Sequence, residues 1–325
     1  VTVQAAVYRK FGGPEVVGIE EVPTPEPRAG EVRVRVRATT ASMADYRMRS
    51  RILPDGLGFL APLMLGFFSP RHKVLGMDLA GTIDAVGSGV TSWQIGDEVI
   101  AMPGANFGGH AQYIVLDADG PIAKKPAAMS FEDAVTLVFG GGTLAAFFSQ
   151  FPVKRGDRVL VNGGSSSTGT AAIQLAKYYG ATVTAITSTR NLELVRSLGA
   201  DAVVDYTKSD LASLTGPFDK VIDCIGNAHF EDVEHAMAPG AVFMPVAIDL
   251  HTMLSAGRKA KRTGRHVAKS DVRPTAADLA SVVTAADAGA FRPVIEATFD
   301  FAQIVEAHRL LDTGRKRGNI VVRVP

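Results

Sequence analysis

Residues Gly156 to Lys177 read GDRVLVNGGSSSTGTAAIQLAK. A short Val/Leu run, Arg158 to Val161, comes first. A loop of small residues follows, and then a segment whose apolar positions Ala171, Ala172, Leu175 and Ala176 have helical spacing. That order predicts strand, tight turn, helix. Gly163, Gly164, Ser166, Ser167, Thr168 and Gly169 keep the turn small, because a Cβ obstructs a left-handed turn and holds a ligand away from the main chain. Free N–H groups and the positive end of the helix dipole would face the loop, which suits a pyrophosphate. The turn therefore reads as the floor of a dinucleotide site, although Gly/Ser-rich turns between strand and helix also occur without a ligand.

Downstream, from Asp157 to about Val246, the pattern alternates. Strands are expected near Val159, Val183, Val203, Val221 and Val242, separated by helix-length stretches, several of them ending at a glycine such as Gly180, Gly199 or Gly240. The alternation implies a parallel, doubly wound sheet of Rossmann type. After the second strand comes Ser188-Thr189-Arg190-Asn191. An NAD enzyme would carry Asp or Glu at about Ser188 to hold the ribose hydroxyls, whereas here hydroxyls and a guanidinium suit the extra phosphate of NADP(H). Two charge-assisted bonds of about 1.5–3 kcal/mol each would favour NADPH by on the order of a hundredfold or more. Otherwise Arg190 is simply the solvated first turn of a helix. Val246, at the end of the last of these strands, is placed with the cofactor-binding positions.

Upstream, Val1 to about Pro126 has mostly period-two patterning. Val32, Val34 and Val36 alternate with Arg33, Arg35 and Arg37, as in a strand with one face buried. Glycine and proline clusters punctuate further strands, including Leu79 to Val86 and Glu98 to Ala101, giving a β-rich module. Ser130-Phe131-Glu132-Asp133 has capping-box spacing and opens a helix. Gly140 to Gly142 and Thr143 follow, either as a close approach to the cofactor or as a plain interdomain turn. Gly56 to Phe68, GLGFLAPLMLGFF, is apolar but broken. It reads as a buried loop or helix turn, as the lip of an apolar pocket, or as an oligomer contact.

The 325 residues suggest about two domains, and a net charge of +1 gives no global pull toward nucleic acid or membrane. The single cysteine, Cys224, excludes an intramolecular disulfide and a zinc site built mainly from cysteines. Following the apolar strand Lys220 to Asp223, it reads as a buried small residue rather than a nucleophile. No segment has the roughly 20 apolar residues of a membrane span, and no leader pattern is seen at the N-terminus, so a cytoplasmic location is expected. Arg258 to His266, RKAKRTGRH, is a local basic cluster, read as a solvated surface or as a contact for an anionic substrate or membrane lipid.

Gly156-Asp157, Gly169 and Gln174 to Lys177, with FGGPEVV, AGEVRVRVRA, LGMDLAGTIDAVGSGV and GDEVIAMPG upstream, resemble the quinone oxidoreductase and zeta-crystallin branch of the medium-chain dehydrogenase/reductase superfamily. The likeness covers nearly the whole chain. It departs at Gly164, where the branch prefers Ser or Ala, and at Ser166-Ser167, where it usually has two glycines. The resemblance implies a GroES-like catalytic domain over 1–126, a Rossmann NADP(H)-binding domain over 127–269, and a return segment over 270–325 of two helices and two strands that completes the catalytic domain.

Where zinc-dependent relatives carry Cys and Gly-His-Glu, this chain has Ser42 and Gly76-Met77-Asp78, so the family's tetrahedral site cannot be assembled and no catalytic metal is expected. The branch's Asn-Pro is replaced by Ser42-Met43, and its Asp is matched by Asp45. Ser42 or Tyr46 would hydrogen-bond the substrate oxygen, with Tyr46 alternatively packing an interdomain wall. The resemblance places Thr143 near the nicotinamide, Tyr206 beside the adenosine phosphate, and Gly318-Asn319 over the cofactor.

The expected activity is zinc-independent, NADPH-dependent hydride transfer to an electron-poor acceptor, a quinone or an α,β-unsaturated carbonyl compound, in a homodimer or homotetramer. A zinc-free alcohol dehydrogenase and a non-catalytic NADPH-binding protein are the alternatives left open.

Overall fold

The computed structural model describes residues 1–325. Strand β3 (Glu31–Ala41) shows how the first module forms. Val32, Val34 and Val36 are fully buried while the intervening arginines turn outward, Arg33 reaching Asp84 at 2.9 Å. Around it are β4 (Leu79–Val86), β5 (Glu98–Ala101), β6 (Tyr113–Asp117) and β7 (Ile122–Lys124), all antiparallel to their neighbours, and a separate hairpin of β1 (Thr2–Tyr8) with β2 (Val17–Pro23). The helix α1 (Met43–Ser50) leaves the C-terminal end of β3, and the short α2 (Ala61–Leu65) lies in the following loop.

The helices α3 (Phe131–Val135) and α4 (Val138–Gln150) lead into the second module. Ser130 caps α3, its hydroxyl accepting from the Asp133 N–H at 3.0 Å. Gly140, Gly141 and Gly142 are not a turn but lie inside α4, where glycine costs about 1 kcal/mol relative to alanine. Packing explains them. A Cβ at Gly140 would stand 2.6 Å from the Ser167 carbonyl oxygen, and Cβ atoms at Gly141 and Gly142 would stand 2.8 and 2.9 Å from Val282 and Leu279. The glycines let neighbouring helices approach α4 on both sides.

The second sheet is wholly parallel. It comprises β8 (Arg158–Asn162), β9 (Thr182–Thr187), β10 (Ala202–Asp205), β11 (Phe218–Asp223), β12 (Met237–Pro245) and β13 (His266–Val267), in the order β10-β9-β8-β11-β12-β13. Its connections run through α5 (Ser167–Tyr178), α6 (Leu192–Ser197), α7 (Phe230–Val233) and α8 (Leu250–Arg262). From β8 the chain winds outward to β9 and β10, then returns to β11 and winds the other way. The crevice beyond the C-terminal end of β8 is therefore the topological switch point, where doubly wound sheets take their ligands. Gly180 and Gly199 follow α5 and α6 with positive φ. Gly240, expected to close a helix, instead sits inside β12 at φ +74°, where the pairing with β11 shifts register.

The tail supplies α9 (Ala276–Asp287), β14 (Ile295–Asp300), α10 (Ile304–Asp312) and β15 (Asn319–Arg323). Leu279, Val282 and Ala285 of α9 share a core with α4 and α5. The chain thus rejoins the first sheet at β14, later than residue 270. There β15 pairs antiparallel with β3 and completes a seven-stranded sheet.

Candidate active site

Strand register brings three segments to one end of the first sheet. The C-terminal end of β3 pairs with the start of β4 (Thr39 with Leu79) and with the start of β15 (Ala41 with Ile320). Residues just outside those pairs therefore converge: Ser42, Asp78 and the run Lys316 to Gly318. Gly318 then reaches the second module, where its N–H donates to the Ser165 carbonyl at 2.8 Å and it bridges Ser166. This end of the first sheet consequently faces the turn at the switch point.

The turn has the form of an anion cradle. Gly163 has φ +78°, and a Cβ at Gly169 would lie 2.1 Å from the Gly163 carbonyl oxygen, so helix α5 seats directly on the turn. Ser166 is the N-cap of α5, its hydroxyl accepting from the Gly169 N–H at 3.0 Å. Its own backbone is ordinary and extended, at φ −73°. The Thr168 N–H has no partner within the chain and that of Ser167 only the loose bridge to the Gly318 carbonyl, so this first turn of α5 can turn its N–H groups to a phosphate.

The neighbouring turn is more mixed in charge than the sequence implies. The Arg190 guanidinium donates to the Arg315 carbonyl, which fixes the cation beside the tail. The Thr189 hydroxyl, counted as a phosphate contact, is instead engaged by the Asp205 carboxylate at 2.5 Å and by Thr207. Those hydroxyls hold the Asp205 carboxyl below its ordinary pKa, so a negative charge stands here although none occurs near Ser188 in the sequence. Ser188 accepts weakly from the Asn191 amide at 3.3 Å. Tyr206, at the end of β10, is exposed. Ser165, overlooked in the sequence, links these pieces: its hydroxyl accepts from Thr187 and Asn191, at 2.9 and 3.0 Å. The buried Oδ1 of Asn191 has no hydrogen-bond partner.

The other expected positions are distributed unevenly. Thr143 is buried in α4, one turn beyond the glycine that touches Ser167. Val246 follows β12, its N–H on the Asp223 carbonyl at 2.9 Å. The Asn319 side chain is buried and donates to the Val294 carbonyl at 3.3 Å. Ser42 is buried and caps α1, its N–H and hydroxyl both donating to Asp45 at 2.7 Å, so its proton is already committed. Tyr46 is half-buried, with the Arg49 guanidinium carbon 5.9 Å from its ring centroid. Cys224 is partly buried and packs against the main core, desolvation pushing its thiol well up.

Two titratable groups at the sheet end were not legible as such. Asp78 is fully buried and accepts from the Thr40 N–H at 3.0 Å and from the Thr40 hydroxyl at 2.7 Å; desolvation outweighs these bonds and raises its pKa to about 7. Lys316, whose ammonium donates to the Gly318 carbonyl at 2.5 Å, is lowered by desolvation to about 8, with Asp78 and Glu296 opposing the shift. At the tip of β11, Asp223 is likewise raised by burial while it accepts from Ile225, Gly226, Ala228 and Asn162. No group of three His, Cys, Asp or Glu side chains comes together anywhere to hold a metal ion.

Residues 28–127 match the alcohol dehydrogenase GroES-like domain, and residues 198–322 match a zinc-binding dehydrogenase domain. The chain is 30% identical to the 2-methylene-furan-3-one reductase of Solanum lycopersicum over 97% of its own length and 77% of that protein. It is also 30% identical to the chloroplastic NADPH-dependent alkenal/one oxidoreductase of Arabidopsis thaliana, over 98% and 79%. The chain is a medium-chain dehydrogenase/reductase. Among solved structures, the quinone oxidoreductase from Coxiella burnetii covers 100% of both chains with a TM-score of 0.85 at 29% identity. As a member of this family the protein is an oxidoreductase, with a GroES-like and a Rossmann-like unit meeting at the site described above.

Proposed function

We propose that this medium-chain dehydrogenase/reductase is an NADPH-dependent, zinc-independent reductase of quinones or α,β-unsaturated carbonyl compounds. One observation carries the reading. At the positions where zinc-dependent members hold their metal, this chain has Ser42 and Gly76-Met77-Asp78, and Ser42 and Asp78 are spent on Asp45 and Thr40. With no Lewis acid to polarise a carbonyl, the acceptor must already be electron-poor, as a quinone or enone is. The kinship with an alkenal/one and a furanone reductase points the same way.

When bound, the nicotinamide supplies the hydride. The chain does the rest. The N–H groups of the first turn of α5, with the unpaired one of Thr168 foremost, and the α5 dipole receive the pyrophosphate. Arg190 meets the adenosine phosphate, offsetting the charge of Asp205. The end of the first sheet positions the acceptor and excludes water. Tyr46 is the donor to the substrate oxygen, since the Ser42 proton already serves Asp45.

The test is oxidation of NADPH, and separately NADH, by metal-stripped protein with a quinone and with an enone. Rapid NADPH oxidation without metal is expected, and Arg190→Ala should reduce the NADPH preference by roughly ten- to a hundredfold. Equal use of NADH would refute the role of Arg190. Turnover that returns only with zinc would refute the metal-independent mechanism.

A further inference from the structure

The loop after α1 turns its large apolar side chains outward. Phe59, Leu63, Phe67 and Phe68 are all well exposed, Phe68 at 98%, although the loop backbone is tied down. Gly66 N–H donates to the Pro62 carbonyl and Arg71 N–H to the Leu65 carbonyl, while Ala61 and Leu65 anchor the segment from beneath. These aromatic rings are therefore presented by a built scaffold.

The second module adds to the same surface. The Leu250 N–H, at the start of α8, donates to the Asp55 carbonyl at 3.0 Å, and Leu250 packs over Gly56. Helix α8 buries Thr252, Ala256 and Ala260 and exposes the opposite face. That face begins with Met253 and Leu254 beside the loop and ends with Arg258, Lys261 and Arg262. Arg71 and Lys73 add exposed cations where the loop ends. The nearest acidic side chains of the second module are already engaged, Glu231 by Lys259 and His251, and Asp249 by His229 and Thr252.

We propose that this surface docks the protein on an anionic lipid bilayer. Exposed aromatic and aliphatic side chains insert at the level of the headgroups, and a flanking row of lysine and arginine meets the lipid phosphates. The charge pattern selects lipid over a second copy of the chain. A two-fold contact brings this face against itself, cation against cation, and the exposed carboxylate of Asp55 is too little to neutralise Arg71, Lys73, Arg258, Lys261 and Arg262. A bilayer supplies a negative surface and an apolar interior together. The net charge of +1 hides the feature because the cations are concentrated here and balanced elsewhere.

The experiment is co-sedimentation of the full chain with vesicles of phosphatidylcholine, with and without phosphatidylserine, at low and high salt. Binding only to the phosphatidylserine vesicles, weakened by salt, is expected. Lys261→Ala with Arg262→Ala should weaken it roughly thirtyfold, and Phe67→Ser with Phe68→Ser should abolish it. All four side chains are exposed, so an unchanged thermal transition certifies the fold of each variant. No binding, or equal binding to neutral vesicles, overturns the proposal. So does a dimer in solution that the phenylalanine substitutions dissolve, which would assign the face to a second copy.

Discussion

Asp78 is a carboxyl group that folding makes harder to ionise. Its Thr40 bonds favour the charged form, but complete burial outweighs them and the pKa rises from 3.8 to about 7. Between those values the native protein keeps a proton that the unfolded chain has released. The contribution to stability is thus full below pH 3.8 and is lost progressively as pH rises through about 7. Asp78→Asn imitates the protonated side chain and keeps the Thr40 partners. The difference in Tm between variant and parent should therefore grow in favour of the variant from pH 5 to 8, followed by circular dichroism. A difference independent of pH would mean that Asp78 is ionised throughout. Lys316 belongs to the same balance, since its lowered pKa of about 8 is opposed by Asp78. Neither shift is visible in the sequence. Asp78 is one of many acidic residues in the chain, and only the register of β3, β4 and β15 seals it from water.

At the scale of elements, the strand-turn-helix of β8 and α5 was readable because its glycines answer local demands. Gly163 takes a positive φ, and Gly169 has no room for a side chain. Serine at 166 and 167, a departure from the branch, is accommodated because residue 166 has ordinary extended backbone and its hydroxyl caps the helix. The consequence is testable by contrast. Gly169→Ala drives a Cβ to 2.1 Å from the Gly163 carbonyl, so α5 must shift, at a cost of about 1–3 kcal/mol and with loss of the phosphate cradle. Ser166→Gly removes only a cap, for a few tenths of a kcal/mol. NADPH titration by fluorescence should show binding collapsed in the first variant and nearly retained in the second; the reverse ranking would mean that the serine hydroxyl is the principal phosphate contact. Other elements were legible only as periodicity. The three glycines of α4 serve helices distant in sequence, and Gly240 marks a strand irregularity, so local reading left the first as a close approach to the cofactor or a turn and took the second as a helix end. Asp205 reaches Thr189 because β10 lies beside β9, a pairing that no residue spacing announces.

At the scale of the whole molecule, the two modules are joined across the site by the run from Gly314 to Gly318. Arg315 receives Arg190, Gly318 bonds Ser165, and β15 then enters the first sheet beside β3. Anything that binds both sides of this junction stabilises the native state, by about 2.7 kcal/mol for a ligand at a hundred times its Kd. Gly318 is the sensitive point. It has φ +56°, and a Cβ would lie 2.2 Å from the Val294 carbonyl oxygen, so Gly318→Ala must move the run away from the phosphate turn. Gly314, at φ +65°, has open space around it, and Gly314→Ala incurs only the left-handed backbone cost of about 1–2 kcal/mol. Both variants should melt earlier than the parent. Only Gly318→Ala should also lose most of the increase in Tm on adding NADPH, and raise the KM for NADPH. If both keep the full increase, the tail is a structural strap without a part in closing the cofactor site; if both lose it equally, the whole run rather than its contact with Ser165 couples the modules.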